Sequence, residues 1–225
     1  MLQGSDAEAP NKGGAEVDRL QRNLSFKTSV FEGYIAAEIY PTVFLEKYDG
    51  LQGKLRPYGV IGYGVFKFNP KAKLGNEWVE LQPLRLEGQG MAEYPNSKPY
   101  KLIQAEVPMG FGAKYYLKDN MYIGLEILHR QLFTDYIDDV SQDSYVDPIH
   151  FNSYLSAADA AKARQLYYRG TYPYVNPTTR PIQGLQRGDP TENDAFFSTV
   201  VRFGWRLNSA GDKWSRRQLR CPVFY

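Results

Sequence analysis

The alternation of apolar and polar positions between residues 102 and 132 organises the whole chain. Across the first half, Ile103, Ala105, Val107, Met109, Phe111, Ala113 and Tyr115 occupy the odd positions, while Gln104, Glu106, Pro108, Gly110, Gly112 and Lys114 occupy the even ones. After the turn Lys118-Asp119-Asn120, Ile123, Leu125 and Ile127 alternate with Gly124, Glu126, Leu128 and Arg130. Period two sustained over ten or more residues predicts long strands with one apolar face. The second face carries glycines and both signs of charge. A soluble sandwich buries its apolar face, whereas a membrane barrel turns it to lipid and keeps a polar lumen. Both segments reach the ~9–11 residues a tilted strand needs to cross a bilayer. The expected fold class is therefore all-β, an antiparallel transmembrane β-barrel of the outer-membrane kind.

Three more strands follow from the same pattern. One runs from about Lys27 to Tyr40, with Phe31, Gly33, Ile35, Ala37 and Ile39 on one face. Another spans roughly Pro57 to Phe68, where Gly59, Gly62 and Gly64 blur the alternation and leave its faces unassigned. A last one covers about Ala195 to Leu207, with Phe197, Thr199, Val201, Phe203 and Trp205 outward and Ser198, Arg202, Gly204 and Arg206 inward. The connections are unequal: a three-residue turn at Lys118, but long loops over 69–100 and 134–193. Short turns are periplasmic and long loops extracellular in such barrels. Residues 1–24 then read as an extracellular loop remnant, 25–207 as the barrel strands, and 208–225 as a periplasmic tail. Within the long loop, Ser156-Ala157-Ala158-Asp159 predicts a helix cap, with helix over Ala161 to Tyr168 and a stop at Gly170.

Five strands are an odd number, whereas single-chain bacterial barrels have even numbers, and the smallest has eight. The expectation is an N-terminally truncated chain whose complete form adds about three strands behind a signal peptide. The polar start Met1-Leu2-Gln3-Gly4-Ser5-Asp6 carries no such signal.

Composition narrows the partners. A net charge of +2 and the lack of a basic run interleaved with aromatics exclude a nucleic-acid platform. Aromatics make up 15% of the chain, including 18 tyrosines, as interfacial girdles would require. Mean hydropathy is −0.50, which does not count against strands whose alternation averages out. The single cysteine, Cys221, excludes a disulfide framework or a cysteine metal site, and its role is open.

The expected lumen positions hold Glu32, Glu38, Glu106 and Glu126 against Lys114, Arg130, Arg202 and Arg206. An eight-stranded interior is just wide enough for side chains to fill, so these charges are expected to pair into a network that plugs it, with an ion path as the alternative. Asp135, Asp138, Asp139, Asp143 and Asp147 crowd the loop after the fourth strand. Their spacing matches no EF-hand, so they read as solvated turn carboxylates rather than a calcium site. His129 and His150 belong to no nucleophile or zinc motif, and neither catalytic residues, metal nor cofactor are expected. The tail holds Lys213, Trp214, Arg216, Arg217 and Arg220, residue types suited either to closing the barrel or to docking a partner.

Several stretches also carry a likeness: Arg22-Asn23-Leu24-Ser25-Phe26; Gly62 to Pro70; Leu81-Gln82-Pro83-Leu84 with Glu87-Gly88-Gln89-Gly90; Pro108-Met109-Gly110-Phe111-Gly112; Thr134 to Ser141; and Arg220-Cys221-Pro222. In these the sequence resembles a Bacteroidota outer-membrane β-barrel family that includes PorG, a component of the type IX secretion system. The resemblance implies an outer-membrane location and a non-enzymatic structural role. It further implies outer-membrane lipids and periplasmic secretion-ring proteins or lipoproteins as partners. A small porin-like channel is the alternative, and an outer-membrane enzyme the third reading.

Overall fold

The computed structural model describes residues 1–8, 20, 22–44, 54–118, 120–170 and 186–205. The strands among these described residues are β1 (Leu2–Ser5), β2 (Ser25–Thr28), β3 (Phe31–Ile39), β4 (Leu55–Lys67), β5 (Pro70–Leu74), β6 (Glu77–Glu80), β7 (Ile103–Lys118), β8 (Met121–Leu132) and β9 (Ala195–Trp205). Two helices, α1 (Phe151–Tyr154) and α2 (Ala157–Leu166), lie between β8 and β9. The strands form two antiparallel sheets, one of five in the order β3-β4-β7-β8-β9 and one of four in the order β1-β2-β5-β6. The chain is all-β in class, as the alternation predicted. Among the described residues the five-stranded sheet is open, with β3 and β9 as its edges.

Chain contacts divide the molecule into two compact units, one of residues 1–35, 63–107 and 131–196, the other of residues 36–62, 108–130 and 197–225. The second unit consists, in its described part, of stretches of the five long strands with the segments that flank them. Their pleat places Ile61, Phe111, Leu125 and Phe203 outward, between 52% and 64% exposed. The opposite face covers Tyr58, Lys114, Glu126 and Arg130, all under 9% exposed. The side with the carboxylates and ammonium is therefore the buried one. Glycines let aromatic rings lie flat on that face. The Cβ that Gly112 lacks would fall 2.7 Å from the ring of Tyr58, and that of Gly204 would collide with the ring of Tyr122.

In the first unit the smaller sheet replaces what the sequence reading took for loop. Segments 1–24 and 69–100 contribute β1, β5 and β6, and the strand expected from Lys27 to Tyr40 is split. Its beginning pairs as β2 with β1 (Leu2↔Thr28, Gly4↔Phe26) and with β5 (Thr28↔Pro70), and β3 starts afresh at Phe31. These strands have four or five residues each, too short to leave a periodic signal. β5 and β6 close with Leu74↔Glu77 around Gly75, whose φ of +60° suits a residue without a side chain. Against this sheet pack Leu84, Leu86, Met91, Phe151 and the buried face of α2, Ala160, Ala163 and Leu166. The Ser156 hydroxyl accepts the Asp159 N–H at 3.1 Å and so caps α2 as anticipated, although the helix ends at Leu166 rather than Tyr168. A second cluster gathers Phe66, Phe68, Tyr100, Leu132 and Ile137.

Candidate functional sites

The covered face of the second unit joins one polar residue from each of the five long strands. Glu126 on β8, fully buried, accepts from the Arg202 guanidinium of β9 at 2.7 Å and from the Tyr58 hydroxyl of β4 at 2.9 Å. Arg202 also approaches Glu38 of β3 at 3.5 Å, and Glu38 receives the Lys114 ammonium of β7 at 2.5 Å. Lys114 donates again to the Tyr40 hydroxyl at 2.6 Å, which itself donates to Glu38. The ammonium lies over the rings of Tyr58, Tyr122 and Tyr40 at 4.8, 5.1 and 5.4 Å. Each charge thus meets an opposite charge, and the remaining donor capacity of Lys114 is taken by a hydroxyl and π faces.

Four of the sequence-derived lumen residues, Glu38, Lys114, Glu126 and Arg202, are brought together here. Arg130 is buried on the same face and donates to the Ser198 hydroxyl. Glu106 is fully buried but belongs to the first unit, and Glu32 is exposed, on the edge strand β3. Arg206 and the tail residues Lys213, Trp214, Arg216, Arg217 and Arg220 lie outside the described residues. Reading missed the tyrosines. Tyr58 was hidden by the glycines that obscured the faces of β4, while Tyr40 and Tyr122 shared the inward parity and were legible in principle.

The first unit holds a second network, built around Arg187. Its guanidinium donates to Glu87 at 2.8 Å, to the Tyr167 carbonyl at 2.7 Å and to the Asp139 carbonyl at 3.3 Å. Glu87 also accepts the backbone N–H groups of Ser141 and Gln142, each at 3.0 Å. The Arg187 carbonyl accepts from Arg22, which grips Asp6 at 2.7 and 3.1 Å. Asp139, fully buried and in the left-handed region at φ +65°, accepts the Tyr100 hydroxyl at 2.6 Å. Burial pushes the Glu87 carboxyl up while the Arg187 guanidinium and the two amides pull it down.

The acidic loop differs from expectation. Asp139 is dry rather than solvated, Asp135 and Asp138 are half-buried beside it, and only Asp143 and Asp147 turn elsewhere: the Asp143 carbonyl accepts from Arg187 N–H, and Asp147 caps Ile149 N–H. The turn folds inward because its Ile137 packs in the core and its amides are needed by Glu87 and Asp194. Among the described residues no group of three or more histidine, cysteine or acidic side chains is arranged to hold a metal ion. His150 rests 3.4 Å from Glu93 and edge-on to Tyr94, and His129 stacks obliquely on Phe197.

No family model matches the chain, and no curated protein or solved structure matches it.

Proposed function

We propose that this chain belongs to a small outer-membrane β-barrel whose role is structural, supporting a type IX secretion apparatus rather than catalysing a reaction. The inverted sheet carries the reading. Covering an exposed Phe, Leu or Ile is worth about 1.5–3 kcal/mol, and burying unpaired charge costs more than that. A strand set with Phe111, Leu125 and Phe203 outside and Glu126 and Lys114 inside is stable where lipid is the outer solvent.

Closure sets the strand number. The edges β3 and β9 of an antiparallel five-stranded sheet run the same way, so they join through an odd number of further strands. Three such strands give eight, the size whose interior side chains fill. The Glu38–Arg202–Glu126 and Glu38–Lys114 links suit such a filled interior. The secretion role rests on the likeness to the PorG-containing family; three of the stretches that carry that likeness supply Arg22, Glu87 and Asp139 to one network.

Two measurements test the proposal. The protein should co-fractionate with outer membranes and run faster on unheated than on heated detergent gels; recovery from the aqueous fraction as a folded monomer overturns the barrel. Deleting Trp214–Tyr225 should leave that mobility unchanged and abolish both co-purification of periplasmic ring proteins and secretion by the type IX route. Retention of both overturns the docking role of the tail.

A further inference from the structure

The first unit gathers more buried acid than base at one place. Asp135, Asp138 and Asp139 lie on the turn 134–142, and Asp194 faces them from the segment leading into β9. Two backbone-directed bonds dock this segment on the turn: Asp194 N–H donates to the Thr134 carbonyl at 3.0 Å, and the Asp194 carboxylate accepts the Ile137 N–H at 2.9 Å. Two more, from Arg187 to Asp143 at 2.7 Å and from Gly188 to Gln142 at 2.9 Å, dock its other end. A cavity of about 520 Å³ runs between them, and Asp135, Asp138 and Asp194 line it together with Asp189 and Glu192.

The cations near these groups are already engaged. From the N-terminal segment Arg22 faces the cavity, but Asp6 takes it in a two-point grip. Arg187 faces it from the 186–194 segment, and Glu87 takes its Nε–H. The segment around Glu87 adds a negative charge and Tyr100 a neutral hydroxyl. Tyr136, on the turn itself, accepts from Gln142. The four aspartates are thus left with neutral donors: the Tyr100 hydroxyl for Asp139, the Val140 N–H for Asp138, the Ile137 N–H for Asp194, and Ser141 for Asp135. One carboxylate oxygen on each of Asp135 and Asp139 has no hydrogen-bond partner among the described residues. Mutually close, desolvated carboxyls cannot all ionise at little cost.

We propose that this aspartate cluster is a proton-operated latch, which holds the turn 134–142 on the segment 186–194 while protons are shared among its carboxyls and releases it when they leave. The cavity gives water, and so protons, a path to the cluster. Burial, with Asp194 and Glu87 adding to it, pushes Asp135 up to about 8, and burial with neighbouring carboxylates pushes Asp138 and Asp139 up to about 7. Because these values lie above the roughly 4 of an unfolded aspartate, the docked state keeps its full advantage below about pH 4, loses it progressively as pH rises from there, and has lost it once pH has passed 7 to 8.

Hydrogen exchange of the full-length chain in lipid nanodiscs, read by mass spectrometry between pH 6 and 9 with labelling times corrected for the intrinsic rate, tests the latch. Opening of 134–142 and 186–194 should rise from pH 6 up to about 7 to 8, by at most roughly tenfold per pH unit for each carboxyl that is protonated only when docked, and level off by pH 9, while α2 stays unchanged. Asp135→Asn with Asp138→Asn keeps an acceptor at both sites and should make opening less steep with pH than in the wild type, because only Asp139 and Asp194 then remain to lose protons. Equal exchange at pH 6 and pH 9 in the wild type overturns the proposal, and so does a double variant that opens as steeply as the wild type. If 5 mM calcium at pH 8.5 closes the segments as acid does, the cluster is a cation site and the latch is refuted.

Discussion

Phe111→Arg separates a lipid-facing sheet from a water-facing one. Phe111 stands at the middle of the sixteen-residue strand β7 and is 64% exposed, so truncating its ring removes little protein packing. In water, such a surface change stays within about ±0.5 kcal/mol. At the midplane of a bilayer, arginine on the lipid face of a barrel costs about 2–4 kcal/mol. That is roughly a 30- to 1000-fold change in the folding constant. A companion change on the inner face supplies the scale. Gly112 is unsuitable because an added Cβ would meet Tyr58 at 2.7 Å, but at Gly124 the nearest atom, the Ala113 carbonyl oxygen, lies 3.4 Å away. Gly124→Ser should therefore cost less than about 1 kcal/mol. Reversible urea unfolding of the full-length protein in phosphatidylcholine vesicles, followed by tryptophan fluorescence, measures both. If Phe111→Arg is no more damaging than Gly124→Ser, lipid does not cover this face and the barrel reading falls.

Three further outcomes can be checked. Glu126→Leu strands the Tyr58 hydroxyl and removes one partner of Arg202, so the urea midpoint in vesicles should drop by the equivalent of about 3–5 kcal/mol, with Glu126→Gln losing less. Arg187→Lys keeps the charge but cannot reach Glu87 and two carbonyls with one ammonium; unit one should lose about 1–3 kcal/mol, seen as faster proteolysis within 134–142. In planar bilayers the full-length protein should pass no steady ion current, because charges linked across the covered face leave no continuous water path. Stable selective openings that change with substitution of Arg130 would instead favour a pore.

The long strands were legible because their pattern is local: apart from β4, whose glycines blur it, each repeats every two residues for nine or more, and β7, β8 and β9 begin and end within two residues of where the alternation places them. Parity also supplied Glu38, Lys114, Glu126 and Arg202. What escaped it depends on distance along the chain. The Glu87–Arg187 pair spans 100 residues, and nothing near either one marks it as buried. The aspartates of the turn looked like solvent-facing loop residues because Asp and Asn are common in turns, whereas Ile137 and the Glu87 carboxylate draw this turn inward. β1, β2, β5 and β6 are too brief for periodicity, so only their pairing with one another makes them strands.

The rings that lie over glycines carry a consequence for how the strands find their alignment. Phe26 covers Gly4 between β1 and β2, Tyr58 covers Gly112 between β4 and β7, and Tyr122 covers Gly204 between β8 and β9. Each pair is a key and a vacancy that fit in one register alone. A slide of two residues keeps every side chain on its proper face, so hydrophobic patterning cannot reject it. It does, however, bring the Tyr122 ring against a residue with a side chain, Arg202 in one direction, instead of a bare backbone. Misaligned strands are thus turned away by steric exclusion where their chemistry would accept them. Neither member of a pair is free to vary alone: a larger residue at the glycine is blocked by the ring, and loss of the ring leaves backbone uncovered.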